Sequence, residues 1–413
     1  MPRKPLILLG AGPTALTLCQ YLAHANIPFK IYERSSDLET HHPGWGLTLH
    51  WSLPALRQLL PDRTFARLPE TYVDRVAVQQ GEVSRFPFYD LTTGKLEAAT
   101  PAAGERDRIR VERGRFRGVL SGGVDVKWGK KAVSVEERED GVLVRFEDGE
   151  EVEGEMVVAC DGGGSVVRRQ LFPDRQRYEI PVRVVGCKVE YTEEEMEGMR
   201  VLDKFFLQGT ASGNDTYVYL SVLDAPGNRP PGERTKYTCQ VIVSWPVRDG
   251  FFGKAEGIPF PSTSEEGVKL IKMFASTWAE PFRSMVSSIP DDTEIKCLSL
   301  YDWVPPREPL SVSRIALLGD AYHPMSMYRG EGANHAILDV LDFVNTGLPS
   351  LCTPNLPTAL ATYHRTIAQR TRPAVLASRQ ACIDAHNWPA ITSSSPLLSR
   401  RAPFLDFDDS HAD

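Results

Sequence analysis

Short apolar runs alternate with polar breaks from the start of the chain. Leu6–Leu9 stops at Gly10-Ala11-Gly12, and an apolar run of that length bounded by glycine reads as a strand. Leu16, Leu18, Cys19, Leu22 and Ala23 follow at helical spacing and predict an amphipathic helix. Phe29–Tyr32 reads as a second strand, ending at Glu33-Arg34. Residues 44–60 read as a loop and then a helix with Leu53, Leu56, Leu59 and Leu60 on its apolar face. The basic segment 110–120 reads as a short helix start, with Arg113, Arg115 and Arg117 suited to a solvated face. Four alternating segments, VDVKWG, KAVSVEERE, GVLVRFED and EVEGEMVVAC, are broken at Asp140-Gly141 and Asp148-Gly149. That pattern predicts a β-meander.

The texture changes over 178–297, where strand-like segments (PVRVVGCKVEY, TYVYLSVL, YTCQVIVSW) precede one helix at 265–278. An antiparallel sheet with a helix on one face fits this stretch. Residues 315–318 read as a buried strand, and helical periodicity resumes after Gly332. Pro373 is expected to kink or break the last long helical stretch. The Ser- and Pro-rich tail after Trp388 reads as loosely ordered or draped over the surface. The succession predicts an α/β (α+β) fold. A Rossmann-type dinucleotide-binding domain with C-terminal helices takes 1–70, 100–177 and 298–385. An inserted antiparallel sheet takes 71–99 and 178–297, and 386–413 is the tail.

Composition excludes several classes. With 42% hydrophobic and 24% charged residues the 413-residue chain is of ordinary globular type. A net charge of −7 argues against a nucleic-acid binder or a basic membrane-surface protein. Seven scattered cysteines without C-x-x-C indicate neither a disulfide framework nor zinc, and favour a reducing, cytoplasmic setting. The first apolar run is too short for a signal peptide, and no spanning helix is predicted. The histidines show no metal spacing, and there is no G-x-S-x-G elbow.

The chemistry concentrates in three places. In the first, the order of strand, Gly10-Ala11-Gly12, Ala15 on the helix and Glu33 after the second strand fits a dinucleotide fold. Gly10 permits the turn, Gly12 lets backbone approach a pyrophosphate, Ala15 stands for the third glycine, and Glu33 can bind a ribose. FAD, NAD and NADP all satisfy this motif. The second, Asp161-Gly162-Gly163-Gly164-Ser165, leads into a helix whose N–H groups could face a phosphate. The third, GDAYHPMSMYRGEGAN, joins Asp320 at a strand end to the helix start at Gly332-Ala333-Asn334. Together a carboxylate and a helix N-terminus suit a ligand that is part polyol, part electron-poor ring.

The three motifs together resemble the single-component FAD-dependent aromatic hydroxylases, the class A flavoprotein monooxygenases of para-hydroxybenzoate hydroxylase type. The style is closest to compact fungal enzymes of secondary metabolism, and the resemblance spans about residues 1–385. It implies that Gly10, Gly12, Ala15, Glu33 and Arg34 hold the adenosine and pyrophosphate of FAD. It implies further that Arg113 reaches the phosphate region, and that Asp161 with Arg168 serves both FAD and an approaching nicotinamide. Asp320 would bind ribityl or pyrophosphate, and Gly332, Ala333 and Asn334 would give backbone N–H groups to the flavin ring. The loop at Gly44 and Gly46 would face that ring.

NAD(P)H would bind transiently as co-substrate, and O2 would give a flavin C4a-hydroperoxide that hydroxylates or epoxidises an aromatic or polycyclic small molecule. His50, Trp51, Met327 and Tyr328, with Tyr301 and Trp303, are candidates to line the substrate pocket, while His323 reads as structural. No side-chain acid or base is assigned. Met327 stands where the family usually has proline, and Tyr322 where a small residue is common. A flavoprotein oxidase or a redox-neutral cyclase or isomerase on the same fold is the alternative. A monomer or homodimer without membrane anchor or nucleic acid completes the expectation.

Overall fold

A computed structural model describes residues 4–38, 45–230, 235–308, 310 and 312–410. Its centre is a five-stranded parallel sheet in the order Ile315–Leu317, Val157–Ala159, Leu6–Leu9, Phe29–Tyr32, Val126–Lys127. The two central strands Val157–Ala159 and Leu6–Leu9 are apolar and buried throughout, as a sheet covered on both faces requires. Helix Pro13–His24 crosses from the first strand to the second and buries Ala15, Leu16, Leu18, Cys19 and Leu22. Helices Arg113–Leu120 and Gly332–Thr346 pack beside it.

The predicted meander divides. Ala132–Arg138, Gly141–Phe146 and Glu151–Gly154 form a three-stranded antiparallel sheet, but Val126–Lys127 and Val157–Ala159 belong to the parallel sheet. Residues 46–49, read as loop, form a strand paired antiparallel with Ile109–Glu112.

The inserted sheet has seven strands: Lys296–Asp302, Tyr178–Tyr191, Tyr237–Pro246, Tyr217–Asp224, Phe206–Thr210, Phe88–Asp90 and Leu96–Ala98. It runs through Asp302, past the boundary expected at 297. Alternation sorts its faces. Val218, Leu220, Val241 and Val243 pack with Phe274 and Met285 of the covering helices and with Trp278 between them. On the opposite face Tyr217 and Ile242 join a cluster with Tyr328, Cys382 and Leu397.

Two corrections concern the C-terminal part. Leu356–Asp384 is one helix of 29 residues with Pro373 inside it. Its flanks stay buried on both sides of the proline, through Ile367, Ala368, Ala374 and Val375, so packing outweighs the lost N–H. The tail is not loose in its described part. Leu397 is fully buried, Ser395 is hydrogen-bonded to the Asp384 carboxylate, and Asp409 pairs with Arg307 and Arg372.

One buried carboxylate joins these layers. Asp339 accepts the Gly319 N–H at 2.7 Å, lies 2.6 Å from His323 Nε2, and accepts from Arg370 Nη2 at 2.8 Å. Burial alone would raise its pKa, but His323, Arg370 and the Gly319 N–H outweigh burial and hold it well below the usual carboxylate range. A carboxylate depressed in the folded state stabilises above its unfolded pKa, and that contribution is lost as pH falls. Urea unfolding should therefore show stability declining below about pH 4. Asp339→Asn should cost about 3 kcal/mol at pH 7 and flatten that acid limb; equal acid slopes in both proteins would contradict the role given to Asp339.

Candidate active site

Four loops leave the C-terminal ends of the parallel strands and meet in one cavity of about 780 Å³. Ligands of open α/β sheets bind at this edge, where strand order reverses about the first strand. Gly10, Gly12, Glu33, Arg34, Asp161 and Asp320 all line it. Gly10 has φ of 93°, and a Cβ there would strike the Cys160 carbonyl, so the turn requires glycine. A Cβ on Gly12 would meet nothing within 4 Å. The N–H groups of Gly12, Thr14 and Ala15 have no protein acceptor among the described residues, which leaves the start of a 12-residue helix open to an anion. Ala15 itself is buried and does not line the cavity; its methyl packs the helix on the sheet. Glu33 braces the glycine loop by accepting the N–H groups of Ala11 at 2.7 Å and Ser35 at 2.9 Å.

The second motif departs from the sequence reading. Asp161 Oδ2 accepts the Val166 N–H at 2.8 Å, and Ser165 Oγ accepts that of Arg168 at 3.0 Å. The helix caps itself, so its start is not offered to a phosphate. Asp161 Oδ1 remains buried without a partner, and burial raises this carboxyl's pKa. Arg168 does not line the cavity. It donates to the carbonyls of Asp320 and Ala321, each at 3.0 Å, and of Gly163, strapping the second motif to the third.

The three arginines read as a solvated helix face go separate ways. Arg113 lines the cavity with its charge opposed by Asp320, Glu112 and Glu33. Arg115 pairs with Asp224. Arg117 is buried and donates to the Ala11 carbonyl at 3.0 Å.

In the third motif Asp320 projects into the cavity, and its deep setting raises its pKa. Gly332 and Ala333 line the wall with N–H groups that have no protein acceptor among the described residues. Asn334 does not share that role, because its N–H and that of His335 are held by the Glu331 carbonyl at 2.9 and 3.0 Å. Its side chain ties the helix to strand Gly46–Leu49 and the turn after it. Oδ1 accepts from the His50 N–H at 2.9 Å and the Ser52 hydroxyl at 2.8 Å, and Nδ2 donates to the Thr48 carbonyl at 2.9 Å. Gly46 lines the cavity, but its missing Cβ makes room for the Arg110 guanidinium. Gly44 lies outside the described residues.

Beyond this end the cavity continues under the seven-stranded sheet, between Phe86, Phe206, Tyr217, Tyr219 and Ile242. Met327 and Tyr328 line it, and the Tyr328 hydroxyl is 2.7 Å from Ser244 Oγ. His50 and Trp51 do not. The His50 ring stands edge-on behind Phe86 at 6.3 Å, and Trp51 packs on His335 at 4.8 Å. Burial pushes His50 down to about 3, so it is neutral. Tyr301 borders only a shallow neighbouring pocket, and Trp303 is buried against Phe172 and Tyr322. His323 is buried on Asp339, as a structural residue should be.

Sequence reasoning missed Arg110, Arg329, Glu331 and Arg401, all of which line the cavity. The buried Arg329–Glu331 pair, 2.7 Å apart, also fastens the tail. Arg329 donates to the Pro396 carbonyl and to Ser399 Oγ, and Glu331 accepts the Ala402 N–H at 3.0 Å. Within the third motif, Arg329 and Glu331, a base and an acid two residues apart that received no role, were the available signal. Among the described residues no group of His, Cys, Asp and Glu is placed to hold a metal.

No family model matches the chain. Curated proteins do. One of Arthroderma benhamiae named "Probable FAD-dependent monooxygenase" is 40% identical over 422 residues, covering 98% of this chain and 96% of that protein. The FAD-dependent monooxygenase dbaB of Emericella nidulans is 33% identical, covering 82% of this chain and 85% of its own. Klebsiella pneumoniae HpxO, complexed with FAD and uric acid, shares the fold with a TM-score of 0.69 at 18% identity, over 93% of this chain and 89% of that one.

The two glycines of the first loop separate folding from ligand binding. Gly10→Ala should destabilise the ligand-free protein by more than about 2 kcal/mol, from positive φ and the collision with Cys160. Gly12→Ala should unfold within about 0.5 kcal/mol of wild type yet bind FAD about tenfold more weakly or worse. Chemical denaturation and flavin-fluorescence titration check both; a Gly12→Ala protein with wild-type FAD affinity would place the pyrophosphate elsewhere.

Proposed function

The chain belongs to the FAD-dependent monooxygenases, and from that premise we propose that it uses NAD(P)H and O2 to hydroxylate or epoxidise an aromatic or polycyclic small molecule of secondary metabolism. The observation that carries this reading is the single cavity running from the glycine loop to an aromatic chamber under the inserted sheet. When bound, FAD supplies hydride acceptance from the nicotinamide and activation of O2. Its adenosine and pyrophosphate fit the open N–H groups at Gly12 and Thr14 and the acid at Glu33. Arg34, Arg113, Asp161 and Asp320 add to the polar lining of that end, beside Lys130, Lys131 and Arg169.

The ring end falls to Gly332 and Ala333. Their N–H groups start a 15-residue helix, and the helix dipole there stabilises the negative charge of a reduced ring. Phe86, Phe206, Tyr217, Tyr219 and Ile242 exclude water from the substrate side. His50, neutral and behind the wall, holds no proton for the reaction. One glycine fingerprint in the sequence suits one resident dinucleotide, with the nicotinamide visiting transiently.

Anaerobic reduction of the purified yellow protein by NADH and NADPH, with and without aromatic candidates, tests the reading. A true substrate should accelerate flavin reduction, and under ¹⁸O2 the product should carry one labelled oxygen. Turnover with O2 but without NAD(P)H would instead identify an oxidase, and turnover without either a redox-neutral cyclase or isomerase on the same fold.

A further inference from the structure

The far end of the cavity carries two arginines, Arg110 and Arg401, that form no ion pair with a carboxylate among the described residues. Arg110 lines it while only 9% exposed. Its Nη1 and Nη2 donate to two neutral hydroxyls, Thr48 Oγ1 and Ser221 Oγ, each at 2.9 Å. Its Nε is buried with no acceptor. The guanidinium lies 5.4 and 5.6 Å from the ring centroids of Phe206 and Tyr219. The glycine at 46 leaves the space it fills.

Arg401 enters the same chamber from the C-terminal segment. Among the described residues its donors reach the carbonyls of Arg329, Ser399 and Leu397 and no other acceptor, at 3.4, 3.2 and 3.2 Å. Its guanidinium lies 5.1 Å from the Phe86 centroid. Phe86 meets Phe206 edge-on at 4.8 Å, so the two arginines flank one aromatic pair.

The nearby acids are engaged elsewhere. Glu331 is paired with Arg329 at 2.7 Å. Asp203 accepts the N–H groups of Phe205 and Phe206 and the Ser84 hydroxyl. Burial lowers the pKa of both arginines, that of Arg401 to about 10, so both stay charged at neutral pH. A guanidinium so enclosed without a counter-ion is costly unless a ligand provides one.

The geometry points to an anion-binding subsite in which Arg110 and Arg401 grip an acidic oxygen of the aromatic substrate, a carboxylate or an ionised phenol, and so fix which edge of the ring meets the flavin end. This rests on the monooxygenase reading and adds a substrate class to it.

The test titrates oxidised, flavin-loaded protein with 1-hydroxy-2-naphthoate, its methyl ester and 1-naphthol, following the flavin spectrum. The naphthoate, or the naphthol above its phenol pKa, should bind about tenfold or more tightly than the ester. Which of the two does so identifies the carboxylate or the phenol as the source of charge. Arg110→Gln and Arg401→Gln should each weaken the preferred anion about 10- to 100-fold and leave the ester unchanged, with Arg110→Lys restoring part of the loss. Two results overturn the subsite: neither anion binding more tightly than the ester, or flavin-loaded variants binding the anion as wild type does. Tight, arginine-dependent binding without stimulated NAD(P)H oxidation would keep the subsite and discard the activity.

Discussion

The arrangement of this protein depends on a buried carboxylate that three separate segments share. Asp339 sits on helix Gly332–Thr346 and takes the N–H of Gly319, the ring of His323 and the guanidinium of Arg370. Gly319 begins the turn just after the last parallel strand, His323 lies in the loop that follows, and Arg370 belongs to the long C-terminal helix. One charge therefore sets where Asp320 projects and where the open N–H groups of Gly332 and Ala333 begin. A buried acid is tolerable only with several strong partners. Here those partners are the elements that need to be placed, so satisfying the charge and building the site are the same event.

The cavity that results has two electrostatic ends. Toward the parallel sheet, helix N-termini and Arg113 are answered by Glu33, Asp161 and Asp320, a mixed lining suited to a ligand with both phosphates and hydroxyls. Toward the inserted sheet the wall is aromatic, and Arg110 and Arg401 stand in it without an ion pair among the described residues, Glu331 being paired with Arg329. Between them the Asn334 side chain ties helix Gly332–Thr346 to strand Gly46–Leu49. Gly46 in turn gives its N–H to Gln240 of the inserted sheet at 2.8 Å. The spacing between the two ends is thus held by side-chain amides rather than by a covalent linker.

What the sequence made legible was local. Gly10, Gly12 and Glu33 are read from spacing because turn, helix start and strand end follow one another along the chain, and the structure gathers them at one sheet edge. Pairing across the chain was not legible. Val126–Lys127 and Val157–Ala159 alternate no differently from the meander beside them, yet they join another sheet; period tells a strand from a helix, not which partner it takes. Arg117 looked solvated and Arg110 was passed over because their acceptors, the Ala11 carbonyl and the Thr48 and Ser221 hydroxyls, are distant in sequence. Asn334 was matched to a motif by position, but the Glu331 carbonyl already holds its N–H.

The tail shows why composition misleads at chain ends. Its serines and prolines lack the apolar content that orders a segment alone, yet Arg329 lacks acceptors inside its own loop apart from Glu331 and finds them at Pro396, Ser399 and Arg400. A buried guanidinium with several donors to satisfy recruits whatever carbonyls can reach it. The recruited segment then brings Arg401 to the cavity wall. Because this contact runs through the loop between Asp320 and Gly332, one stretch of chain shapes both the cofactor end and the substrate end. The tail meets that loop and the inserted sheet's inner face, so its sequence can change the chamber's chemistry while the parallel sheet and its glycine loop stay as they are.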